Sequence, residues 1–256
     1  MRWLRGLLVA DTTIIVSTIF FGLISLVVSF FDSTGRKQAW LAHVWAKSLL
    51  AGSGLHVTVE GLEHIDPSAS YVYVSNHTSY MDTPVVLANL SSQFRFLAKS
   101  GLFKIPLLGT HLSSAGHISV PLGDPRAAVK TMQRAAEVIQ QKKISLLIFP
   151  EGGRTEDGVL QSFKEGAAYI AIRAGVPIVP MVLIGAREAL PYGAGVVLSA
   201  NVTLRILKPI ETAHLALKDR GTVTEHLRQL ILNELEPKSE AQALRASKIS
   251  SATQIF

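Results

Sequence analysis

Hydrophobic positions fall into two regimes along this chain, one continuous and one periodic. The continuous stretch is TTIIVSTIFFGLISLVVSFF, Thr12 to Phe31, 20 residues without a charge. As a helix it would extend about 30 Å, the thickness of a bilayer core, which predicts an N-terminal hydrophobic membrane helix. A secretory signal would have a shorter apolar core and a small-x-small cleavage site; a helix buried in a soluble core is the other reading. Arg2 and Arg5 precede the run and Arg36 and Lys37 follow it, so flanking charge sets no orientation. Residues 36–54, RKQAWLAHVWAKSLLAGSG, then place Leu41, Val44, Trp45 and Leu49 at helical spacing. With Trp40 and Trp45 as amphipathic rings, this predicts a second, interfacial helix; a helix packed on the following domain fits the same pattern. Gly-Ser-Gly at 52–54 ends the pattern and marks a boundary.

From Leu55 onward the signals alternate. LHVTVEG, YVYVS, FRFLA, ISLLIF, PIVPMVLIG and NVTLRIL read as strands. Between them, DPRAAVKTMQRAAEVIQQ reads as a helix capped by Asp124 with Pro125 at its first position. Its predicted buried stripe is Val129, Met132, Ala136 and Ile139. A later helix at about 222–236 carries Val223, Leu227, Leu230, Ile231 and Leu235 on one side. Strands alternating with helices imply an α/β fold with a mostly parallel central sheet flanked by helices. The expected organisation is a membrane-anchoring helical segment over 1–54, an α/β domain over 55–236, and a polar, poorly ordered tail over 237–256.

Composition sharpens this picture. Of 256 residues 48% are hydrophobic and only 17% charged, against a usual charged share of about 25%. The net charge of +6 suits anionic partners such as lipid headgroups or phosphorylated metabolites. No zinc-finger spacing or Lys/Arg run points to nucleic acid. The chain has no cysteine, which removes disulfides, thiolate metal sites and a cysteine acyl-enzyme.

Several chemistries lack their motif: neither Gly-x-Ser-x-Gly, a P-loop, Gly-x-Gly-x-x-Gly nor His-Glu-x-x-His occurs. The histidines show no metal-ligand spacing. What stands out is SNHTSYMDTP, residues 75–84, where His77 and Asp82 follow a strand and lie five positions apart. Partners on a regular helix are three or four apart, so these two meet only if the backbone turns between them. The modest reading is a loop histidine beside a carboxylate that caps the next helix. The functional one has Asp82 orient His77 and stabilise its protonated form while His77 takes a proton from a hydroxyl. Ser79 reads as a hydroxyl capping the following helix. A second feature, FPEGGRTEDG at 149–158, directly follows a strand. Gly152 and Gly153 permit close backbone approach, and Arg154 offers a planar fork for phosphate. A Pro-Gly turn with a solvated arginine is the plain alternative.

In combination, NHTSYMD, FPEGGR some seventy residues later, and VPIVPMV at 176–182 resemble the glycerolipid acyltransferase family, the PlsC-like group that includes 1-acylglycerol-3-phosphate acyltransferases. AKSGLFKIPLLGTHLSSAGHISV, residues 98–120, is similar to the family's intervening block, with Lys99, Lys104, Pro106 and Gly109 in place. The resemblance covers roughly residues 70–185. It implies His77 as catalytic base and Asp82 as its orienting partner. Glu151, Gly152, Gly153 and Arg154 would belong to the acceptor site, with Arg154 facing a phosphate and Lys104 a further phosphate candidate. Two positions differ from the family pattern: Gly153 stands where threonine is usual, and Pro121 and Leu122 occupy the neighbourhood of the second block's usual arginine, which Arg126 follows.

The function so implied is transfer of a fatty acyl group from acyl-CoA or acyl carrier protein to the free hydroxyl of lysophosphatidic acid, giving phosphatidic acid. The thioester is a co-substrate, and neither a bound cofactor nor a metal is called for. The partners are membrane lipid, a lysophospholipid acceptor and the acyl donor, with the active domain on the cytoplasmic face of a membrane. Acylation of another lysolipid, a lyso-ornithine lipid or a headgrouped lysophospholipid, is the alternative within enzymes. A non-catalytic lipid-binding protein is the alternative outside them.

Overall fold

The structure is a computed structural model that describes residues 2–121 and 123–236. Leu122 and the tail expected over 237–256 lie outside the described residues. The elements are α1 (Arg2–Arg5), a π-helical turn (Gly6–Asp11), α2 (Thr12–Ser29), α3 (Arg36–Ser53), β1 (His56–Glu60), β2 (Val72–Ser75), α4 (Asp82–Asn89) and β3 (Phe94–Lys99). They continue with α5 (Leu108–Ser114), β4 (Ile118–Val120), α6 (Pro125–Lys142), β5 (Ser145–Ile148), α7 (Gly166–Ala174), β6 (Ile178–Ile184), α8 (Ala186–Ala189), β7 (Asn201–Ile206) and α9 (Arg220–Leu235). One seven-stranded sheet has the order β1-β7-β6-β2-β5-β3-β4. Every neighbouring pair is parallel except β6 with β7. All six predicted strands are present; the added one, β4, is three residues long.

Strand side chains alternate between two layers, as a period of two requires. Tyr73, Leu147, Val179 and Met181 face α4 through Val85 and Val86. Val72, Val74, Leu146 and Ile148 face Ala136 and Ile139 of α6, Ile170 of α7 and Leu227 and Ile231 of α9. Both faces are therefore covered, and the central strands read as continuous apolar runs. On α6 the predicted stripe needs correction: Val129 is 44% exposed, and burial is concentrated at Ala135, Ala136 and Ile139. The small alanines allow close approach to α7 only in the second half of the helix, leaving its first turns open.

The N-terminal helices form a hairpin. Trp3–Ser29 is a continuous 27-residue helical rod with mean hydropathy 2.2 and 6% of its apolar window buried, so by length and composition it is a candidate membrane span. The rod nevertheless touches the rest of the chain along one side. Asp11 accepts a bond from Val197 N at 3.0 Å, Trp45 Nε1 donates to Thr18 Oγ1 at 3.2 Å, and Ser25 Oγ bonds Gln38 and His111. Gly6 sits where a Cβ would stand 2.4 Å from the carbonyl oxygen of Val197. Ile15, Val16, Ile19, Phe20, Leu23 and Val27 lie on the open side. The second helix, α3, buries Leu41, Ala42, Ala46 and Leu49 while Trp40 stays 65% exposed.

Candidate active site

Because β2, β5 and β3 run parallel, the loops after them collect at one edge of the sheet, where α/β proteins hold their ligands. The loop after β2 carries His77, and the chain turns so that Asp82 opens α4 directly beneath it. His77 Nδ1 lies 2.9 Å from Asp82 Oδ2. The same oxygen accepts the backbone N–H groups of Thr78 and Ser79, each at 2.8 Å. An oxygen accepting two amide protons acts as a carboxylate, which assigns the imidazole proton to Nδ1 and leaves the Nε2 lone pair free. The five-residue spacing now has its reason: it is the length of a turn that closes on one carboxylate oxygen. Ser79 does not cap α4 as expected: its hydroxyl accepts Met81 N, ahead of the helix, at 3.0 Å and donates to Leu190 O at 2.8 Å, so it fixes the turn instead.

His77 is 8% exposed and Asp82 fully buried. The imidazole stacks on Phe149 with centroids 3.9 Å apart and planes at 11°. Burial pushes the His77 pKa below its ordinary value, against the pull of Asp82; the nearby charges of Arg154 and Lys99 push in the same direction as burial. The resting state is thus a neutral imidazole. Protonation is stabilised by a carboxylate whose Oδ1 is buried without a partner among the described residues.

The loop after β5 holds the first loop in place. Glu151 Oε1 accepts His77 N at 2.7 Å, and its Oε2 accepts Gln161 N at 3.0 Å. Burial pushes the Glu151 carboxyl up, and those two N–H groups oppose the shift. Thr155 N donates to His77 O at 3.3 Å. Arg154 Nε donates to Ser79 O at 2.8 Å, and its guanidinium lies over the Tyr80 ring, 4.4 Å from the centroid. Its two terminal nitrogens have no protein partner among the described residues. Residues 151–157 and Gln161 line an open pocket of about 520 Å³.

Of the expected site residues, His77, Asp82, Glu151, Gly152, Gly153 and Arg154 come together. Glu151 has both oxygens committed to backbone N–H groups, so it braces the His77 loop. Lys104 ends a 3₁₀ turn, Ser100–Lys104, as an exposed residue. Lys99, at the carboxyl end of β3, reaches the site instead: its Nζ stands 3.3 Å from the point a Cβ on Gly153 would occupy. The parallel pairing of β3 with β5 was the signal that could have pointed to it. Arg126 has an exposed side chain; its backbone N–H joins the cap made by Asp124. Among the described residues no group of three or more His, Asp or Glu side chains is gathered to hold a metal.

A buried His–Asp pair with a free Nε2, set beside an unpaired guanidinium at the carboxyl edge of an α/β sheet, defines a base-and-anion site of the kind used for transfer to a hydroxyl. The comparisons agree with that class. The Acyltransferase family model matches residues 56–184, and the chain belongs to this family. It is 38% identical over 186 residues to the chloroplastic 1-acyl-sn-glycerol-3-phosphate acyltransferase LPAT1 of Arabidopsis thaliana, covering 72% of this chain and 51% of that protein. It is 30% identical over 179 residues to the human 1-acyl-sn-glycerol-3-phosphate acyltransferase alpha, covering 70% of this chain and 63% of that one. The chain thus spans about half to two thirds of the length of these relatives. Among solved structures, the LPA acyltransferase PlsC from Thermotoga maritima superposes with a TM-score of 0.74 at 25% identity, covering 92% of this chain and 97% of that one.

Proposed function

We propose that this protein is an O-acyltransferase that moves a fatty acyl group from a thioester, acyl-CoA or acyl carrier protein, to the free hydroxyl of lysophosphatidic acid. The observation that carries the reading is the His77–Asp82 contact at 2.9 Å at the rim of the loop bearing Arg154; the activity for which the relatives are named supports the acceptor. The hydroxyl oxygen attacks the thioester carbonyl carbon as His77 Nε2 takes its proton. Asp82 stabilises the imidazolium through Nδ1–H. The tetrahedral intermediate collapses, the carbon–sulfur bond breaks, and the departing thiolate takes the proton from His77. The products are phosphatidic acid and free thiol. Stacking on Phe149 keeps the ring in one orientation, and Arg154 directs its free nitrogens at the acceptor phosphate.

The one-sided attachment of the N-terminal rod supports a membrane-bound enzyme. Contacts from Asp11 to Ser25 hold the rod along the domain, and its open apolar side faces lipid, so the site meets lysolipid at the bilayer surface. The domain faces the cytoplasm, where soluble thioester donors reach it. The test uses the full chain in detergent with lysophosphatidic acid and labelled acyl-CoA or acyl carrier protein. Label enters phosphatidic acid with the intact protein and is lost with His77→Ala. Equal labelling by both forms would overturn the assignment.

A further inference from the structure

The loop beside His77 gathers more positive charge than Arg154 alone supplies. After its excursion the loop folds back, and Lys164 N donates to Pro150 O at 2.9 Å, which sends the Lys164 side chain across Gly152. Its Nζ lies 2.5 Å from the point where a Cβ on Gly152 would stand. Lys99 Nζ has the corresponding place at Gly153, at 3.3 Å. Arg154 comes next. Two ammonium groups and one guanidinium therefore lie along three consecutive loop positions. Among the described residues, none of the ion pairs formed within 4.0 Å includes any of these three cations. Of the neighbouring carboxylates, Glu151 is occupied by His77 N and Gln161 N, and Glu165 pairs with Arg220; Glu156 and Asp157 line the same pocket without pairing with any of the three cations. Gly152 has a φ of +79°, so a glycine there serves both the turn and the passage of the ammonium.

Like charges placed together repel, and the repulsion is relieved when an anion of matching charge binds among them. A terminal phosphomonoester carries about −1.5 to −2 charge and three acceptor oxygens near neutral pH. A phosphate already esterified to a headgroup carries one charge and two free oxygens. We infer that Lys164 is a third cation of the acceptor site, and that with Lys99 and Arg154 it selects lysolipids bearing a terminal phosphomonoester over those whose phosphate carries a headgroup. The inference rests on the acyl-transfer reading above and adds the residue that sets acceptor choice.

The test is competition between lysophosphatidic acid and lysophosphatidylglycerol for the purified full chain in detergent. It compares the wild type with K164Q and K164R. Lys164 is exposed, so neither change disturbs the fold. K164Q raises the KM for lysophosphatidic acid about tenfold, the size of one charge-assisted hydrogen bond. Its kcat stays the same, and lysophosphatidylglycerol kinetics remain within about twofold. The preference ratio then falls about tenfold, and K164R restores most of it. An unchanged KM for lysophosphatidic acid, or equal losses with both acceptors, would overturn the inference while leaving the acyl-transfer reading intact. A wild type that acylates no lysophosphatidic acid would remove that reading, and the inference with it.

Discussion

The molecule holds two buried polar clusters built from the same residue types, and they differ in what is left over. Beneath the N-terminal hairpin, Asp32 accepts the N–H groups of Thr34, Gly35 and Gln38. Gln38 bonds Ser25 and His111, His117 Nδ1 accepts Phe96 N, and the buried Arg95 donates to the carbonyls of Phe94 and Thr34. None of that cluster's side-chain atoms is among those buried without a partner in the described residues. At the carboxyl edge of the sheet, the cluster of His77, Asp82, Glu151 and Arg154 is equally well bonded but unfinished. Nε2 of His77, the terminal nitrogens of Arg154, Oδ1 of Asp82 and Oγ1 of the buried Thr155 are unspent. Burial costs a polar group free energy unless it is bonded, so unspent capacity beside a pocket marks where a ligand completes the network.

The comparison breaks first at the histidines. His77→Ala is expected to lower kcat/KM by at least about 10³-fold, since the proton acceptor is gone, while melting temperature changes little. His111→Gln is expected to leave kcat unaltered. Asp82→Asn comes next, with a loss of about 10²- to 10³-fold: the amide cannot accept three N–H groups and presents Nε2 as the protonated nitrogen. Steady-state kinetics on both variants, with circular dichroism to confirm the fold, checks each outcome. Glu151→Gln is milder, about tenfold in kcat, because the amide keeps one acceptor oxygen and places an N–H against an N–H at the other bond. If Glu151→Gln instead raised the acceptor KM at constant kcat, its place would be in acceptor binding and not under the His77 loop.

How much of this was legible before the fold was known follows the range of the interactions. Strand positions were legible because Val72 to Val74 and Leu146 to Ile148 are apolar throughout, as burial on both faces demands. β4 is three residues long, too short for any period to show. On α6, spacing placed Val129 in the buried stripe, but only the packing of α7 decides how far along the helix burial extends. The His77–Asp82 pair was visible in its spacing and in the resemblance. That one carboxylate oxygen collects three N–H groups was not, since it depends on the turn's closure. Phe149 under the imidazole and Lys164 over Gly152 depend on strand order and loop return, neither of which is local. Lys104 and Lys99 stand five residues apart in one block, and choosing between them required knowing where β3 ends.

The smallest effect on catalysis belongs to the closed cluster, and it appears as stability. His111 faces Ser25, Gln38, Arg95 and His117; burial first, then the charge of Arg95, pushes its pKa down to about 4 from 6.5. Because the folded value lies below the unfolded one, the unfolded chain binds the extra proton first. The contribution of neutral His111 is therefore complete above about pH 6.5 and is lost as pH falls toward about 4. For a shift of that size it amounts to about 3 kcal/mol. Wild-type thermal stability should fall between those limits more steeply than that of His111→Gln, whose amide does not titrate, and the two curves should run parallel above pH 7. His77, although also buried, should produce a smaller difference when tested by the same subtraction, because Asp82 opposes its shift where Arg95 reinforces that of His111. Parallel curves for His111→Gln and wild type throughout would mean that the cluster opens to water before the protein unfolds, and the distinction between a closed and an open cluster would then rest on catalysis alone.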